Sequence, residues 1–316
     1  MASYCANGRP FINGKRVAPS TDATFEVTNP YSAERVAQVA ACGGAEIDLA
    51  VKAARAAFED GRWSDLAPSQ RSEHLHAWAS ALEAARAELA TLDSQQMGMP
   101  LSWGVDDLQS AIAAVRETAS LATTLRDDLV PSAAGTLAYN QRRPHGVVGL
   151  ISPWNFPCYI AMLKVAAALA MGNTVVLKPS EVAPLGCLLL AELASEAGIP
   201  PGVFNAVPGL GAEAGRALAL HIDVDALSFT GSTGVGVRIM EAGAATMKRQ
   251  LLELGGKGAA LVLEDADVAK AVGAIQSVWA FHSGQICTAP TRAVVHRSRY
   301  DELVSALSNV APHLKV

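Results

Sequence analysis

The pattern of apolar and polar positions divides the sequence into a helical first part and an alternating second part. Residues 10–41 are strand-like, and Ile12-Asn13-Gly14-Lys15 is typical of a hairpin turn. Residues 128–143 have the pattern of an exposed, extended segment, and the Met97–Pro100 stretch interrupts the helical pattern. Apolar residues recur at spacings of three and four in three Ala-rich stretches, which predicts helices over about Ala45–Phe58, Pro68–Leu92 and Trp103–Leu125.

From Gly146 onward, short apolar strands alternate with helical stretches. The predicted strands are Val147–Ser152, Thr174–Lys178, Val203–Val207 and Ala226–Thr230, and the predicted helices are Ile160–Ala170, Pro184–Glu196, Ala212–Leu220 and Gly234–Ala242. This alternation predicts an α/β fold with a parallel sheet covered by helices. Ligands in such sheets bind beyond the carboxyl ends of the strands, so candidate site residues are expected there.

Composition and charge narrow the class of protein. A chain of 316 residues with 50% hydrophobic content is long enough for two domains and a large core. Its formal net charge of −5 disfavours nucleic acid or an anionic membrane as partner. The five cysteines form no CxxC pair and no targeting or membrane segment is visible, which predicts a reduced, cytoplasmic protein. The seven histidines are dispersed, and no metal site is expected.

Two short polar segments follow predicted strands. Asn155 stands between two prolines in Ser152–Pro157, where its amide can donate to an oxyanion or simply satisfy a turn. Lys178 ends an apolar strand and Glu181 follows three residues later. This pair suits the two hydroxyls of a ribose, and it equally suits a surface pair at the start of a helix.

Two glycine motifs are candidates for binding a pyrophosphate. Gly209–Ala214 fits the GxGxxG/A pattern, although the acidic partner expected about 20 residues later is only loosely matched. Phe229–Gly236 contains small residues and two hydroxyls at the start of a helix, where backbone N–H groups are exposed. We favour the second motif for phosphate and the first for close packing near the adenosine.

Cys287 and Glu253 are the candidates for covalent chemistry. Cys287 follows a flexible Gly-Gln turn, and Glu253 stands in an apolar segment that ends in two glycines. A thiolate attacks carbonyl carbon, and a carboxylate can activate the water that completes the reaction. Each residue alone is weak evidence for catalysis, since a lone cysteine is more often a small buried hydrophobic residue.

The motifs together resemble the NAD(P)-dependent aldehyde dehydrogenase superfamily, in order and in spacing. They are Pro153-Trp154-Asn155-Phe156-Pro157, Lys178-Pro179-Ser180-Glu181, Phe229-Thr230-Gly231-Ser232, Leu252–Lys257 and Gly284-Gln285-Ile286-Cys287. The resemblance implies an aldehyde dehydrogenase-like α/β fold. A Rossmann-like cofactor domain would comprise residues 1–124 and 144–253, an extended oligomerisation arm residues 125–143, and the start of an α/β catalytic domain residues 254–316.

The resemblance also implies roles for individual residues. Cys287 would form a thiohemiacetal and then a thioester, Asn155 would bind the oxyanion, Glu253 would activate the hydrolytic water, and Lys164 would relay its proton. Residues implied to bind NAD, with NADP possible, are Ile151, Trp154, Lys178, Ser180, Glu181, Gly211, Gly231, Ser232, Val235 and Leu254. Residues implied to line the substrate pocket are Phe156, Tyr159, Leu163 and Thr288. Their mainly apolar character favours an uncharged aliphatic or aromatic aldehyde.

Some features of the sequence differ from the family pattern. Gly256–Ala259 and His282 replace residues that are common in the family, and the sequence reaches Val316 one strand and one helix after Cys287. Two alternatives to a hydrolytic aldehyde dehydrogenase are a non-catalytic dinucleotide-binding remnant and a CoA-acylating enzyme, of which Glu253 disfavours the second. A chain that ends at Val316 is expected to bind dinucleotide weakly without dehydrogenase activity, and a longer one to form a homodimer or homotetramer.

Overall fold

The computed structural model describes residues 8–314, so Cys5 lies outside the described part. The strands are Phe11–Ile12 (β1), Lys15–Arg16 (β2), Thr24–Thr28 (β3), Arg35–Ala40 (β4), Asp128–Val130 (β5), Ala138–Asn140 (β6), Val147–Ile151 (β7), Thr174–Lys178 (β8), Phe204–Ala206 (β9), Ala226–Gly231 (β10), Arg249–Leu254 (β11), Gly258–Val262 (β12) and Pro290–Val295 (β13). The helices are Gly44–Glu59 (α1), Pro68–Ala84 (α2), Arg86–Met97 (α3), Leu101–Ala122 (α4), Pro157–Ala170 (α5), Leu185–Glu196 (α6), Arg216–Leu220 (α7), Thr233–Ala244 (α8), Val268–Ala280 (α9) and Arg297–Val310 (α10). A π-helical turn spans Gly211–Gly215, and 3₁₀ turns span Phe281–Gly284 and Ala311–His313.

The chain divides into two compact units, one up to Glu253 and one from Leu254 onward. The main sheet has the strand order β11-β10-β7-β8-β9-β1-β2. Strands β10, β7, β8 and β9 pair in parallel, as the alternating pattern predicts. The β1–β2 hairpin extends the sheet with antiparallel pairing, so the sheet is mixed at this edge.

The predicted hairpin at residues 12–15 is present. Asn13 and Gly14 both have positive φ, 53° and 76°, as a two-residue turn of this type requires. The Asn13 backbone N–H donates to Asn205 Oδ1 at 2.9 Å, which ties the turn to β9. The extended segment predicted at residues 128–143 forms the exposed β5–β6 pair.

The single helix predicted over Pro68–Leu92 is wrong, because the structure divides it into α2 and α3 at Ala85. Ala85 has φ −93° and ψ 2°, outside the helical region. Both helices pack against α4, and the bend lets each of them follow its surface. The predicted helix over Ala212–Leu220 is likewise not one α-helix, because a π-helical turn precedes α7.

The core of the first unit lies between the sheet and helices α2, α4, α5 and α6. Trp63 and Trp78 are fully buried in or beside it. Each indole N–H donates to a backbone carbonyl, Trp63 to Leu169 at 3.0 Å and Trp78 to Leu190 at 3.2 Å. A buried indole donor without a partner would be destabilising, so these bonds tie α5 to the segment between α1 and α2, and α6 to α2.

The second unit is a small parallel β-α-β arrangement. Strands β12 and β13 pair in parallel, and α9 connects them. Helices α9 and α10 pack on each other over a core of Val262, Val268, Val272, Ile275 and Leu303. Asp267 caps α9 by accepting from the backbone N–H of Lys270 at 3.2 Å.

Candidate active site

Three of the sequence motifs lie at the same edge of the main sheet, because the strands that precede them pair so that their ends are level. Ile151 at the end of β7 is paired with Lys178 at the end of β8 and with Phe229 near the end of β10. The segments that follow these residues are those with Asn155, Glu181 and Ser232. The carboxyl ends of the parallel strands therefore bring the predicted residues of three separate motifs to one edge.

The strand order of the main sheet reverses between β7 and β10. From β7 the chain continues to β8 and β9 on one side and later to β10 and β11 on the other. The carboxyl ends of β7 and β10 therefore flank the topological switch point, which is where open α/β sheets bind dinucleotides. The Gly209 motif follows β9, two strands away from that point, and the Ser232 motif follows β10 directly.

The Asn155 loop is fixed at both of its ends. Ser152 donates its backbone N–H to Lys178 O at 3.2 Å, and Pro157 is the first residue of α5. Pro153 and Pro157 are buried, while Asn155 is half-buried and Trp154 is 42% exposed. The loop thus holds a polar amide and an exposed aromatic ring on a rigid backbone.

Lys178 and Glu181 form an ion pair at the end of β8. Lys178 Nζ lies 2.9 Å from Glu181 Oε2, and only 2% of the lysine is exposed. Burial lowers the pKa of Lys178, an effect that Glu181 opposes. Burial acts to raise the pKa of Glu181, but the charge of Lys178 and nearby hydrogen bonds outweigh it, so this pKa is lowered. The carboxylate is therefore ionised and available to accept from a hydroxyl.

The Gly209 motif packs closely against other parts of the chain. A Cβ at Gly209 would lie 2.4 Å from the carbonyl oxygen of Cys42 and 2.8 Å from the Cβ of Ala214, so only glycine fits there. The Gly211 N–H donates to Glu181 Oε1 at 3.5 Å, which connects this loop to the Lys178–Glu181 pair. These contacts fit the packing role that we favour for the first glycine motif.

The Ser232 motif has the features of a phosphate site. Ser232 caps α8, accepting from the backbone N–H of Val235 at 3.4 Å, and the N-terminus of α8 is exposed at Thr233 and Gly234. The hydroxyl of Thr230 is buried, and it has no hydrogen-bond partner within residues 8–314. A helix N-terminus beside a buried hydroxyl that lacks a partner fits the pyrophosphate end of a dinucleotide.

Lys164 lies on α5 and reaches the neighbouring strand β10. Its Nζ donates to Ser228 Oγ at 2.5 Å. Burial lowers the pKa of Lys164 to about 8, and the charge of Glu253 on β11 opposes the shift. Glu253 itself is exposed. The charge of the Glu253 carboxylate therefore acts on the amine of Lys164 within the first unit.

Cys287 lies in the second unit, in the segment between α9 and β13. His282, Ser283 and Gly284 have φ values of 49°, 53° and 74°, so three successive residues with left-handed backbone precede it. Ile286 donates its backbone N–H to Gly284 O at 2.9 Å, and Ala289 donates to Ile286 O at 3.2 Å. Cys287 and Thr288 are exposed, unlike the buried Cys42, Cys158 and Cys187. Cys287 is therefore exposed to solvent directly after a turn of left-handed residues, and its role as a nucleophile stays a prediction.

The remaining predicted residues are distributed over both units. Phe156, Tyr159 and Leu163 lie at and after the Asn155 loop and are half-buried, with the rings of Phe156 and Tyr159 at 6.4 Å in an edge-on arrangement. Leu254 ends β11 and is half-buried. Within residues 8–314, no cluster of three His, Cys, Asp or Glu side chains could hold a metal ion, and no helix is long and apolar enough to cross a membrane.

Comparison with known proteins identifies the family to which this arrangement belongs. The model of the aldehyde dehydrogenase family matches residues 17–316. The chain belongs to the aldehyde dehydrogenase family. Aldehyde dehydrogenase relatives include the putative aldehyde dehydrogenase DhaS of Bacillus subtilis, which is 41% identical over 307 residues, covering 96% of this chain and 62% of the relative.

Two further aldehyde dehydrogenases show the same extent of similarity. The NADP/NAD-dependent aldehyde dehydrogenase PuuC of Escherichia coli is 40% identical, covering 98% of this chain and 63% of that protein. The NAD⁺ complex of an aldehyde dehydrogenase from Bacillus cereus matches with a TM-score of 0.94 at 40% identity, covering 97% of this chain and 63% of the other. The chain therefore spans a little over three fifths of the length of these aldehyde dehydrogenases.

Sequence reasoning missed Ser228, the partner of Lys164, and gave Thr230 no role of its own within the Phe229–Gly236 motif. Ser228 is 7% exposed and bonds to Lys164, and Thr230 lies two positions later on the same face of β10. The available signal was a serine within the otherwise apolar run Ala226-Leu227-Ser228-Phe229, since a buried hydroxyl needs a partner.

Proposed function

We propose that this member of the aldehyde dehydrogenase family oxidises an aldehyde to a carboxylic acid with NAD as the cofactor. The observation that carries the proposal is the single edge at which β7, β8 and β10 end, with the Asn155 loop, the Lys178–Glu181 pair and the Ser232-capped helix. Relatives described as NAD- or NADP-dependent, and one solved with NAD⁺, support the choice of cofactor.

Residues of the first unit would hold the dinucleotide. Glu181 would accept from a ribose hydroxyl and Lys178 would donate to one, while Ser232 and Trp154 would contact the pyrophosphate beside the N-terminus of α8. NAD, when bound, supplies the acceptor for the hydride that leaves the aldehyde carbon. The other residues proposed to line its site are Ile151, Ser180, Gly211, Gly231, Val235 and Leu254.

Cys287 would supply the nucleophile. As a thiolate its sulfur forms a bond to the aldehyde carbon, and the carbonyl oxygen becomes an oxyanion. The Asn155 side chain would donate to that oxygen, an interaction that contributes about 3–4 kcal/mol of transition-state stabilisation in comparable sites. Loss of hydride from the same carbon leaves a thioester on Cys287.

Glu253 would complete the reaction by hydrolysis. Its carboxylate would take a proton from a water molecule that attacks the thioester, which releases the carboxylic acid and restores the thiol. Lys164, whose pKa of about 8 lies close to neutral pH, would carry that proton onward. The choice of water over coenzyme A as acceptor rests on the presence of Glu253.

The substrate class is proposed from the apolar character of the residues around the Asn155 loop. Phe156, Tyr159 and Leu163 offer aromatic and aliphatic surface, and Thr288 is small. We propose uncharged aliphatic or aromatic aldehydes as the substrate class.

The β5–β6 arm exposes Leu129 by 77% and Leu137 by 75%, which supports its proposed role in forming a homodimer or homotetramer. A cytoplasmic location remains a prediction.

The experiment is a panel of aldehydes on the purified full-length gene product, followed by the absorbance of the reduced nicotinamide. The proposal predicts turnover with NAD that does not depend on coenzyme A and yields the free acid. Turnover that requires coenzyme A and yields an acyl-CoA would instead indicate the acylating reaction. Absence of reduction with every aldehyde, together with NAD binding, would indicate a non-catalytic dinucleotide-binding protein.

A further inference from the structure

The contact between Lys164 and Ser228 joins two elements that are distant in sequence. The two residues are 64 positions apart, and the 2.5 Å distance between Nζ and Oγ is short for a hydrogen bond that a lysine donates. Lys164 lies on α5, the helix that begins directly after the Asn155 loop, and Ser228 lies on β10. The bond therefore fixes the end of a long, flexible side chain against the sheet.

The position of Ser228 also places the bonded amine of Lys164 next to the strand that carries Glu253. β10 is the neighbour of β11, which carries Glu253, so Ser228 holds the amine of Lys164 at the strand adjacent to that carboxylate. The charge that faces Lys164 is that of Glu253, and β10 contributes a neutral hydroxyl rather than a second acid.

A hydroxyl differs from a carboxylate as a partner for a lysine that changes its charge. It accepts a hydrogen bond from the ammonium form, and it can rotate to donate to the lone pair of the neutral amine. A carboxylate would hold only the charged form, and would raise the pKa of the lysine strongly. Burial, opposed by the charge of Glu253, lowers the pKa of Lys164 to about 8, so both forms are populated near neutral pH.

We propose that Ser228 is a positioning residue for hydrolysis, since its hydroxyl holds Lys164 Nζ in one place in both protonation states. This rests on the proposed role of Lys164. In the cycle, Glu253 takes a proton from the attacking water, neutral Lys164 accepts that proton from Glu253, directly or through water, and the ammonium then loses it to solvent. No group changes its oxidation state, and each proton taken up is released.

The first test measures the titration of Lys164 in the 316-residue chain with ¹³C-labelled lysine, the resonance being assigned by its loss in Lys164→Met. The bond that Ser228 accepts from the ammonium form is charge-assisted and therefore stronger than the bond that it donates to the neutral amine. Ser228→Ala removes both bonds, so the pKa of Lys164 should fall by about one unit. Ser228→Thr keeps a hydroxyl and should restore the wild-type value. Ser72→Ala is the matched control, since Ser72 is also 7% exposed but lies on α2. This substitution should leave the pKa of Lys164 unchanged. An unchanged pKa in Ser228→Ala would overturn the proposal.

The second test uses the full-length gene product and the rate of turnover as a function of pH. Ser228→Ala should reduce kcat several-fold and move the limb that reports Lys164 to lower pH, with KM for NAD unchanged. In the Lys164→Met background, Ser228→Ala should have no further effect, because its only target is gone. Independent losses in the double variant would overturn the proposal. Unchanged turnover in Lys164→Met would also overturn it. The proposed aldehyde oxidation is tested separately, by detection of the acyl adduct on Cys287.

Discussion

Lys178 and Glu181 form a pair in which the lysine is buried and the carboxylate is held from two sides. Lys178 Nζ lies 2.9 Å from Glu181 Oε2, and Gly211 N–H lies 3.5 Å from Oε1 of the same carboxylate. The carboxylate thus stands at a fixed place between the β8 end and the glycine loop after β9. A charged acceptor in a fixed place can distinguish a ribose hydroxyl from a ribose phosphate.

The first prediction concerns the choice between NAD and NADP. An ionised Glu181 would accept from the ribose 2′-hydroxyl and repel a 2′-phosphate, so NAD should bind about 10-fold more tightly, as expected for one charge pair near solvent. Glu181→Gln should narrow this ratio mainly by improving NADP binding. Dissociation constants of both dinucleotides measured by calorimetry on the 316-residue chain provide the check.

Glu213→Gln is the matched control for that substitution, because Glu213 is exposed on the same glycine loop and has no proposed contact with the ribose. Glu213→Gln should leave the ratio of the NAD and NADP dissociation constants as it is in the wild type. A wild-type protein that prefers NADP, or a ratio that Glu181→Gln does not change, would contradict the role given to Glu181.

A second prediction concerns Asp93, a buried acid on α3. Asp93 is 1% exposed, and Cys158 Sγ donates to its Oδ1 at 3.2 Å. Burial raises the pKa of Asp93 to about 7, the bond from Cys158 opposes the shift, and the charge of Asp107 adds to it. In the unfolded chain the pKa returns to about 4. Between pH 4 and 7 the folded state therefore binds a proton that the unfolded state has lost.

The stabilising effect of protonated Asp93 is complete below about pH 4 and is lost as the pH rises through 7. The free energy of unfolding should fall across this window by on the order of 1 kcal/mol per pH unit, and Asp93→Asn should remove that part of the slope. Urea unfolding at a series of pH values between 5 and 8 measures this dependence of the free energy of unfolding on pH. Asp106→Asn, at an exposed position of α4, should retain the slope. Burial also raises the pKa of Asp107 to about 7, so this residue keeps its own part of the slope. A slope that Asp93→Asn does not reduce would refute this assignment.

Local sequence signals predicted the elements whose causes are local. The Asn13-Gly14 turn, the break before α4 and the β7 and β8 strands each follow from their own residues, namely a turn pair, a Gly-Met-Pro stop and short apolar runs. The bend at Ala85 could not be predicted, because Glu83-Ala84-Ala85-Arg86 contains only strong helix formers and the division follows from packing on α4.

In the candidate site, too, features with local causes were predicted and contacts between distant residues were not. Motif spacing identified Asn155, Lys178, Glu181 and Ser232, which the strand register then brings to one edge. The partner of Lys164 was missed, because a bond over 64 residues depends on how α5 packs against β10. The positive φ of His282 and Ser283 was also unpredictable, since neither residue type favours that conformation as glycine does.

The third prediction concerns Glu253. If its carboxylate activates the hydrolytic water, Glu253→Gln should slow hydrolysis of the thioester more than its formation. Stopped-flow measurements on the full-length gene product should then show a rapid burst of reduced nicotinamide, close to one per site, followed by a steady state at least about 100-fold slower than in the wild type. Glu241→Gln, an exposed acid on α8, should behave like the wild type. Equal loss of burst and steady state would exclude Glu253 as the base of this step.

The most direct test of the whole account is the mass of the protein caught during turnover. The Glu253→Gln form of the full-length gene product, mixed with aldehyde and NAD and quenched in acid, should gain the mass of the aldehyde less two hydrogens, and peptide mapping should locate the acyl group on Cys287. Cys287→Ala should gain no mass and should still bind NAD. An acyl group on another residue, or oxidation of aldehyde by Cys287→Ala, would contradict the proposed reaction.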